Sequence, residues 1–202
     1  FADCSGDSVL RVSGAAHRWG RESRAEFGEA YAPETADRQT MGSSVLIQLR
    51  EVDTHEPFIP PAWAYKYHDG DLPHRSLMPE GNNFWWIEIG GTGDTIAQTE
   101  EYRDELLKIA YGVWDYIKNH PDGRGHRWEL EWIGSLPGKR ESARYVGDHI
   151  LTQNDIEAEG RFEDMVAYGG WTMDDHHPAA IHWPGPPTIW HPAPSPYGIP
   201  YR

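Results

Sequence analysis

The longest periodic stretch of the chain runs from Thr95 to Asn119, where apolar residues recur every three or four positions. This spacing places them along one face of an α-helix. Thr95 and Gln98 have the spacing of a capping box, and His120-Pro121-Asp122-Gly123 ends the pattern. The apolar face carries no ionisable residue in this pattern, so we expect the helix to be structural.

Short alternating or β-branched runs surround this helix and predict strands over residues 40–50, 84–89, 128–133 and 146–151. Residues 1–20 predict a strand, a turn and a helix, and residues 156–162 a short helix. Prolines exclude long regular elements from residues 53–82 and from residue 173 onward. The predicted fold class is therefore α+β (mixed α/β), largely antiparallel and built around one long helix.

Composition narrows the classes of function. The chain has 202 residues and a net charge of -14, which disfavours nucleic acid and anionic membrane surfaces as partners. Its single cysteine, Cys4, cannot form a disulfide within the chain. No apolar run approaches the roughly 20 residues that span a bilayer.

A Pro-Gly turn at residues 137–138 precedes four charged residues. Among them Arg140 and Arg144 carry planar guanidinium groups, which match carboxylates and phosphates. If this segment is helical, the two arginines share a face and could clamp one carboxylate. The alternative is a surface turn in which Glu141 pairs locally with an arginine.

Acidic and imidazole groups are concentrated in Asp174-Asp175-His176-His177. Adjacent Asp and His can act as general acid and base, since histidine titrates near neutrality. Consecutive residues of an extended chain point to opposite sides, so all four cannot face one ion. Solvated loop residues, a catalytic role and a metal site all remain open on this pattern, and no metal is assigned.

Four stretches carry a resemblance to a known family. They are residues 136–155 (LPGKRESARYVGDHILTQND), 1–7 (FADCSGD), 39–44 (QTMGSS) and 168–174 (YGGWTMD). Taken in their order along the chain, they resemble a bacterial family of flavin-dependent oxidoreductases, in the class of the succinate dehydrogenase and fumarate reductase flavoproteins. The resemblance implies FAD as cofactor. It also implies hydride transfer to or from the flavin on a small organic or sugar-like substrate.

The resemblance also assigns roles to residues. Gly6 and Asp7 match the family's Gly-Asp segment near the flavin, although Ser5 and Ser8 replace the family's Thr and second Gly. Residues 1–20 would then be a remnant of a flavin-binding domain, and residues 21–202 a substrate or cap domain. No Gly-x-Gly-x-x-Gly fingerprint follows a strand. Because the chain starts at Phe1 in the middle of a motif, we expect it to be an internal piece of a longer protein, or a processed one, of unknown localisation with a cytoplasmic leaning.

For catalysis the resemblance favours four side chains: Arg140, Arg144, Asp174 and His176. The arginines would hold a substrate carboxylate or move a proton, and Asp174 and His176 would handle the proton at the flavin's reactive ring.

Two other classes of function stay open at this level. The tryptophans and tyrosines, with Glu129 and Glu131 on one strand face, are compatible with a carbohydrate-binding or carbohydrate-processing module. The missing fingerprint is compatible with a non-catalytic interaction or oligomerisation domain. Its partner would be a second copy of the chain or the remainder of a parent protein.

Overall fold

The computed structural model describes residues 4–5, 9–194 and 196–202. The chain divides into two compact units. Unit 1 comprises Phe1–Thr40, Glu141–His176 and Thr188–Arg202, and unit 2 comprises Met41–Arg140 and His177–Pro187. The flavin-domain boundary at residue 20 stays a prediction.

Three α-helices and eleven strands are formed by the described residues, and every strand pair is antiparallel. The α+β prediction is therefore confirmed. The helices are α1 (Arg24–Phe27), α2 (Thr99–Lys118) and α3 (Gln153–Glu157). The strands are β1 (His17–Trp19), β2 (Ser43–Ser44), β3 (Ile47–Glu51), β4 (Glu88–Ile89), β5 (Trp128–Ile133), β6 (Gly138–Lys139), β7 (Ala143–Tyr145), β8 (Met165–Gly169), β9 (Met173–His176), β10 (Thr188–His191) and β11 (Tyr197–Pro200). None of the helices seen in this part of the chain is long and apolar enough to cross a bilayer.

Helix α2 forms the centre of unit 2, as its apolar spacing predicts. Its buried face packs with residues of β3, β4 and the 84–87 segment into one apolar cluster. Strands β4, β2 and β6 form a three-stranded sheet, and β3 pairs with β5. Residues 53–82 contain no strand or helix, as expected, but Leu72 and Tyr67 pack into or against the cluster. This irregular segment is thus a wall of unit 2.

The start of α2 differs from the predicted capping box. Thr95 is fully buried, and its hydroxyl has no hydrogen-bond partner among the described residues. Asp94 caps the turn instead, because its Oδ1 accepts hydrogen bonds from the backbone N–H groups of Ile96 and Ala97. Gln98 reciprocates, since its Oε1 accepts from the Asp94 N–H at 2.9 Å.

The expectation that the buried face of α2 carries no ionisable residue is wrong. Lys118 is only 2% exposed. Its Nζ donates to the backbone carbonyl oxygens of Trp128 at 2.6 Å and His126 at 3.4 Å. Desolvation lowers the pKa of Lys118. The lysine lies at the last position of the helix, where its long side chain can reach the first residues of β5 and the turn before it.

Gly112 allows a close approach in the middle of α2. A Cβ at this position would overlap the carbonyl oxygen of Tyr65 and lie 2.9 Å from its carbonyl carbon. We expect Gly112→Ala to lower the free energy of unfolding by about 1–3 kcal/mol through overpacking. This is opposite to the gain of about 1 kcal/mol that the change gives in an open helix. Chemical denaturation measures the effect.

Gly170→Ala is the matched control, because no atom lies within 4 Å of its added Cβ. We expect this variant to be within about 0.5 kcal/mol of the wild type. A stabilised Gly112→Ala variant would contradict the close approach of the Tyr65 carbonyl to α2.

Unit 1 consists of three two-stranded ribbons, β1–β7, β9–β10 and β8–β11, with helices α1 and α3. Ala143 is its one fully buried apolar side chain among those described, so ion pairs and ring contacts contribute much of its cohesion. The strand predicted at residues 146–151 is wrong. The paired residues are those of β7, and the chain leaves the ladder at Gly147 after Val146 donates to the carbonyl of Ala16.

The helix predicted at residues 156–162 lies earlier, at Gln153–Glu157. Thr152 and Asp155 form a capping box at its start, which the sequence shows but the apolar pattern does not reveal. Positive φ angles at Glu159 (68°) and Gly160 (48°) follow its end.

Candidate functional site

A pocket of about 350 Å³ lies within unit 1. Its walls come from the ends of β1 and β7, the loop after α1, the start of α3, and strands β9 and β10. The lining residues are Arg21, Glu22, Glu29, Tyr31, Ala32, Pro33, Arg144, Leu151, Thr152, Gln153, Ile156, Met173, Asp174, Asp175 and His191. A cavity of this size accommodates a small organic molecule. We call it the unit 1 pocket.

One wall of the unit 1 pocket is a pair of stacked rings. The Tyr31 and His191 centroids are 3.7 Å apart, with an angle of 17° between the planes. The Tyr31 backbone N–H donates to Gln153 Oε1 at 3.0 Å, and the Gln153 N–H donates to Glu29 Oε1 at 2.7 Å. These bonds fix the loop after α1 against the start of α3, so the ring wall is held from both sides.

Both guanidinium groups of the pocket already have carboxylate partners. Arg144 donates to Glu141 Oε1 at 2.5 Å, to Glu22 Oε1 at 2.9 Å and to the carbonyl of Gly20 at 2.6 Å. Arg21 forms a two-bond pair with Asp37, and this pairing lowers the pKa of the Asp37 carboxyl. Each arginine is therefore held in place by acidic neighbours.

Asp174 and His176 lie on the same face of β9, as alternation in a strand requires. His176 Nε2 is 3.1 Å from Asp174 Oδ2, and the Thr188 hydroxyl of β10 donates to Asp174 Oδ1. Asp174 lines the pocket, whereas His176 is 3% exposed and does not. The structure thus brings the two predicted residues together, with His176 behind Asp174.

The balance of charge decides what the unit 1 pocket can accept. Four carboxylates line it (Glu22, Glu29, Asp174 and Asp175), against two guanidinium groups that are already paired. An additional anion would meet excess negative charge at short range. Hydroxyl groups, in contrast, can donate hydrogen bonds to carboxylate oxygens. The arrangement suits a neutral, hydroxyl-bearing ligand.

Arg140 does not share a helix face with Arg144, so that expectation is wrong. The segment forms strands β6 and β7, and Arg140 belongs to unit 2 while Arg144 belongs to unit 1. Arg140 Nε is 3.1 Å from Oε2 of Glu88, which is 2% exposed, and it donates to Ser44 Oγ at 3.1 Å. The physical reason is that β6 pairs with β2 and β7 pairs with β1, so strand pairing holds this segment extended and no helix forms. The catalytic roles of both arginines stay predictions.

Gly6 and Asp7 lie outside the described residues, so their predicted contact with flavin stays a prediction. Within the part of the chain that is described, no group of three or more His, Cys, Asp or Glu side chains could hold a metal ion. Glu129 and Glu131 on β5 contact the neighbouring strand β3, where they accept hydrogen bonds from Arg50 and Gln48.

Tyr31, Arg21 and His191 were not assigned to the site by the sequence. Tyr31 lies in the charged segment after α1, Arg21 follows the end of β1, and His191 ends β10 in the proline-rich C-terminal segment. No local spacing links these three residues. The one sequence signal for this pocket is the family resemblance at residues 136–155 and 168–174, because these stretches include the lining residues Arg144, Gln153 and Asp174.

The glycine-rich turn of unit 2 does not fit the pyrophosphate of FAD. A glycine-rich turn, Gly90–Gly93, follows β4 and precedes α2, but the Tyr102 side chain fills it. A Cβ at Gly90 would lie 2.6 Å from Tyr102 Cε2, and one at Gly93 would overlap the Tyr102 hydroxyl. A dinucleotide cradle also needs a parallel βαβ unit, and all strand pairs seen here are antiparallel. This turn packs a side chain and does not cradle a phosphate.

Comparison with known proteins gives one match. The sequence profile of the family described as FAD dependent oxidoreductase matches residues 1–202. No curated protein and no solved structure matches the chain significantly. The family uses FAD as its cofactor, as the resemblance implied. Since the match extends over all 202 residues, the chain belongs to the FAD dependent oxidoreductase family.

Proposed function

We propose that this chain forms the substrate-binding part of an FAD-dependent oxidoreductase that acts on a small, neutral, hydroxyl-rich substrate of sugar-like character. The substrate binds in the unit 1 pocket. The observation that carries the proposal is the lining of that pocket. It combines a stacked ring wall with four carboxylates and two guanidinium groups that are already paired.

Each part of the lining has a role in this proposal. The Tyr31–His191 wall packs against the apolar face of the substrate. The carboxylates of the wall accept hydrogen bonds from substrate hydroxyls and so favour a ligand that carries them. FAD, the cofactor of the family, supplies the electron chemistry.

Asp174 is the proton acceptor in this proposal. Its carboxylate lies in the pocket wall, and the Thr188 hydroxyl and the His176 ring fix its two oxygens. A carboxylate held on both sides presents its remaining lone pairs in a fixed direction. His176 then acts as a positioning residue, because it reaches the pocket only through Asp174.

The charge of the pocket separates this substrate class from dicarboxylates. Succinate and fumarate carry two negative charges and need unpaired cations in their site. Arg144 and Arg21 are each paired with carboxylates here. We therefore infer that the resemblance to the succinate dehydrogenase class concerns the family and not the substrate.

Binding to the purified chain tests the substrate class. Saturation-transfer NMR with neutral monosaccharides and polyols should show contacts, and the same experiment with succinate or fumarate should show none. Asp174→Asn should weaken the binding of the neutral ligand about tenfold, through loss of a charge-assisted hydrogen bond.

Asp53→Asn is the matched control, since it makes the same carboxylate-to-amide change at an exposed residue of unit 2. It should bind like the wild type. Preferential binding of succinate, or equal binding by wild type and Asp174→Asn, would contradict the proposal.

A further inference from the structure

A second cavity, of about 540 Å³, lies within unit 2 and has no role in the proposal above. It is bounded by the irregular segment 65–73, by α2 and by residues 181–184. Its lining residues are Tyr65, Lys66, Tyr67, Gly70, Asp71, Leu72, Pro73, Glu105, Ile109, Ile181, His182, Trp183 and Pro184. We call it the aromatic pocket.

The walls of the aromatic pocket are mainly rings and aliphatic groups. Tyr65, Tyr67 and Trp183 contribute aromatic surface, and Tyr65 and Trp183 are 42% and 37% exposed. Trp183 is held flat, because its ring stacks on His177 with centroids 4.0 Å apart and an angle of 7°. An indole fixed in this way and still partly exposed is a rigid platform for a flat apolar surface.

A buried arginine builds this pocket in advance of any ligand. Arg75 is 7% exposed and donates four hydrogen bonds to backbone carbonyls. One goes to Pro73 at 2.8 Å, on the first wall, and one to Trp183 at 2.9 Å, on the opposite wall. The others reach Ala180 and Gly185. The two walls are therefore held together before a ligand binds, so binding costs little conformational entropy.

The charged groups of the aromatic pocket are largely compensated. Glu105 accepts hydrogen bonds from the Tyr65 hydroxyl and from Lys108 Nζ, and Lys66 Nζ is 3.1 Å from Asp115. Asp71 Oδ2 accepts from the backbone N–H of His68 at 2.7 Å. The pocket thus offers hydrogen-bonding carboxylates beside aromatic rings without a strong excess of either charge.

This combination matches one face of a pyranose ring. The C–H groups of a pyranose pack on an aromatic ring, while its hydroxyls donate to carboxylate oxygens at the edge. A charged ligand would have to displace the ion pairs that Glu105 and Lys66 already make. We propose that the aromatic pocket of unit 2 is a second ligand site, which binds a neutral pyranose unit of a carbohydrate with Trp183 as the platform.

Tryptophan fluorescence of the full chain, titrated with cellobiose, maltose and xylobiose, tests this proposal. At least one of these probes should change the emission, because the exposed part of Trp183 becomes covered. Trp183→Ala should weaken the affinity about tenfold or more. Trp132→Ala, on β5 of the same unit and 53% exposed, should bind like the wild type.

Glu105→Gln gives a second variant if Trp183→Ala unfolds the chain. It keeps the shape of the side chain and should weaken binding several-fold by removing the charge of the acceptor. No emission change with any probe, or equal affinities for wild type and Trp183→Ala with unchanged circular dichroism, would overturn the proposal. Asp174→Asn separates the two sites, because it should leave the fluorescence titration unchanged.

Discussion

Replacing Arg140 by methionine will lower the free energy of unfolding by about 3 kcal/mol, because it removes the guanidinium from the side of a buried carboxylate. Glu88 is 2% exposed and lies 3.1 Å from Arg140 Nε. It also accepts a hydrogen bond from the backbone N–H of Gly42 at 2.9 Å. Strands β4, β2 and β6 meet at this pair, so the loss should appear as a lower denaturant midpoint of unit 2.

The double variant Arg140→Met/Glu88→Gln is the control. Removing the charge of residue 88 should recover about 1–2 kcal/mol of the loss, since a neutral amide is less costly to bury than a carboxylate that has lost its guanidinium neighbour. An Arg140→Met variant within about 0.5 kcal/mol of the wild type would show that the pair contributes nothing. Ligand binding by the folded variant then tests the separate prediction that Arg140 contacts substrate.

Arg75→Met should be at least as destabilising, with a loss of about 4 kcal/mol. Four backbone carbonyls would lose this donor at once; the bond to Ala180 is buried and the other three are part-buried. A buried acceptor left unpaired costs about 1–3 kcal/mol, and a part-buried one costs less. Water entering the vacated space would recover part of this sum. Hydrogen exchange should also increase in the 180–185 segment, because the guanidinium is what ties that segment to Pro73.

Arg75→Lys separates charge from geometry. Lysine keeps the positive charge, but its single ammonium cannot reach four carbonyls arranged around a planar guanidinium. We expect an intermediate loss of stability and slower exchange than in Arg75→Met. If Arg75→Lys were as stable as the wild type, the charge alone would be sufficient and the four-carbonyl arrangement would be unimportant.

The spacing of apolar residues predicted those elements that bury one face against a single neighbour. The apolar stripe located α2, and alternation located β5, because burial against one partner gives a periodic signal. The same pattern did not locate the strand at Ala143–Tyr145. That strand exists because it pairs with His17–Trp19, more than 120 residues earlier, and no local spacing reports such a partner.

The site shows the same division. Asp174 and His176 lie together because alternate residues of β9 share a face, although the sequence analysis predicted no strand there. The pairing of Arg144 with Glu22 and the stacking of Tyr31 on His191 depend on contacts across more than 100 residues. Sequence alone does not show whether a charged side chain already has an ion-pair partner within the protein, so the side chain can be mistaken for a ligand-binding group. This is why the sequence left a carboxylate clamp open for Arg140 and Arg144, whereas our proposal of a neutral ligand depends on the ion pairs that the structure shows.

The most direct test of the proposed function is the reduction of FAD by substrate. Protein that carries bound, oxidised FAD would be mixed with each ligand, and the yellow absorbance would be followed without oxygen. We expect at least one neutral sugar or polyol to bleach the flavin, more slowly with Asp174→Asn than with Asp53→Asn, and succinate to leave it unchanged. Bleaching by succinate, or bleaching by a sugar at the same rate in Asp174→Asn, would contradict the assignment of the unit 1 pocket.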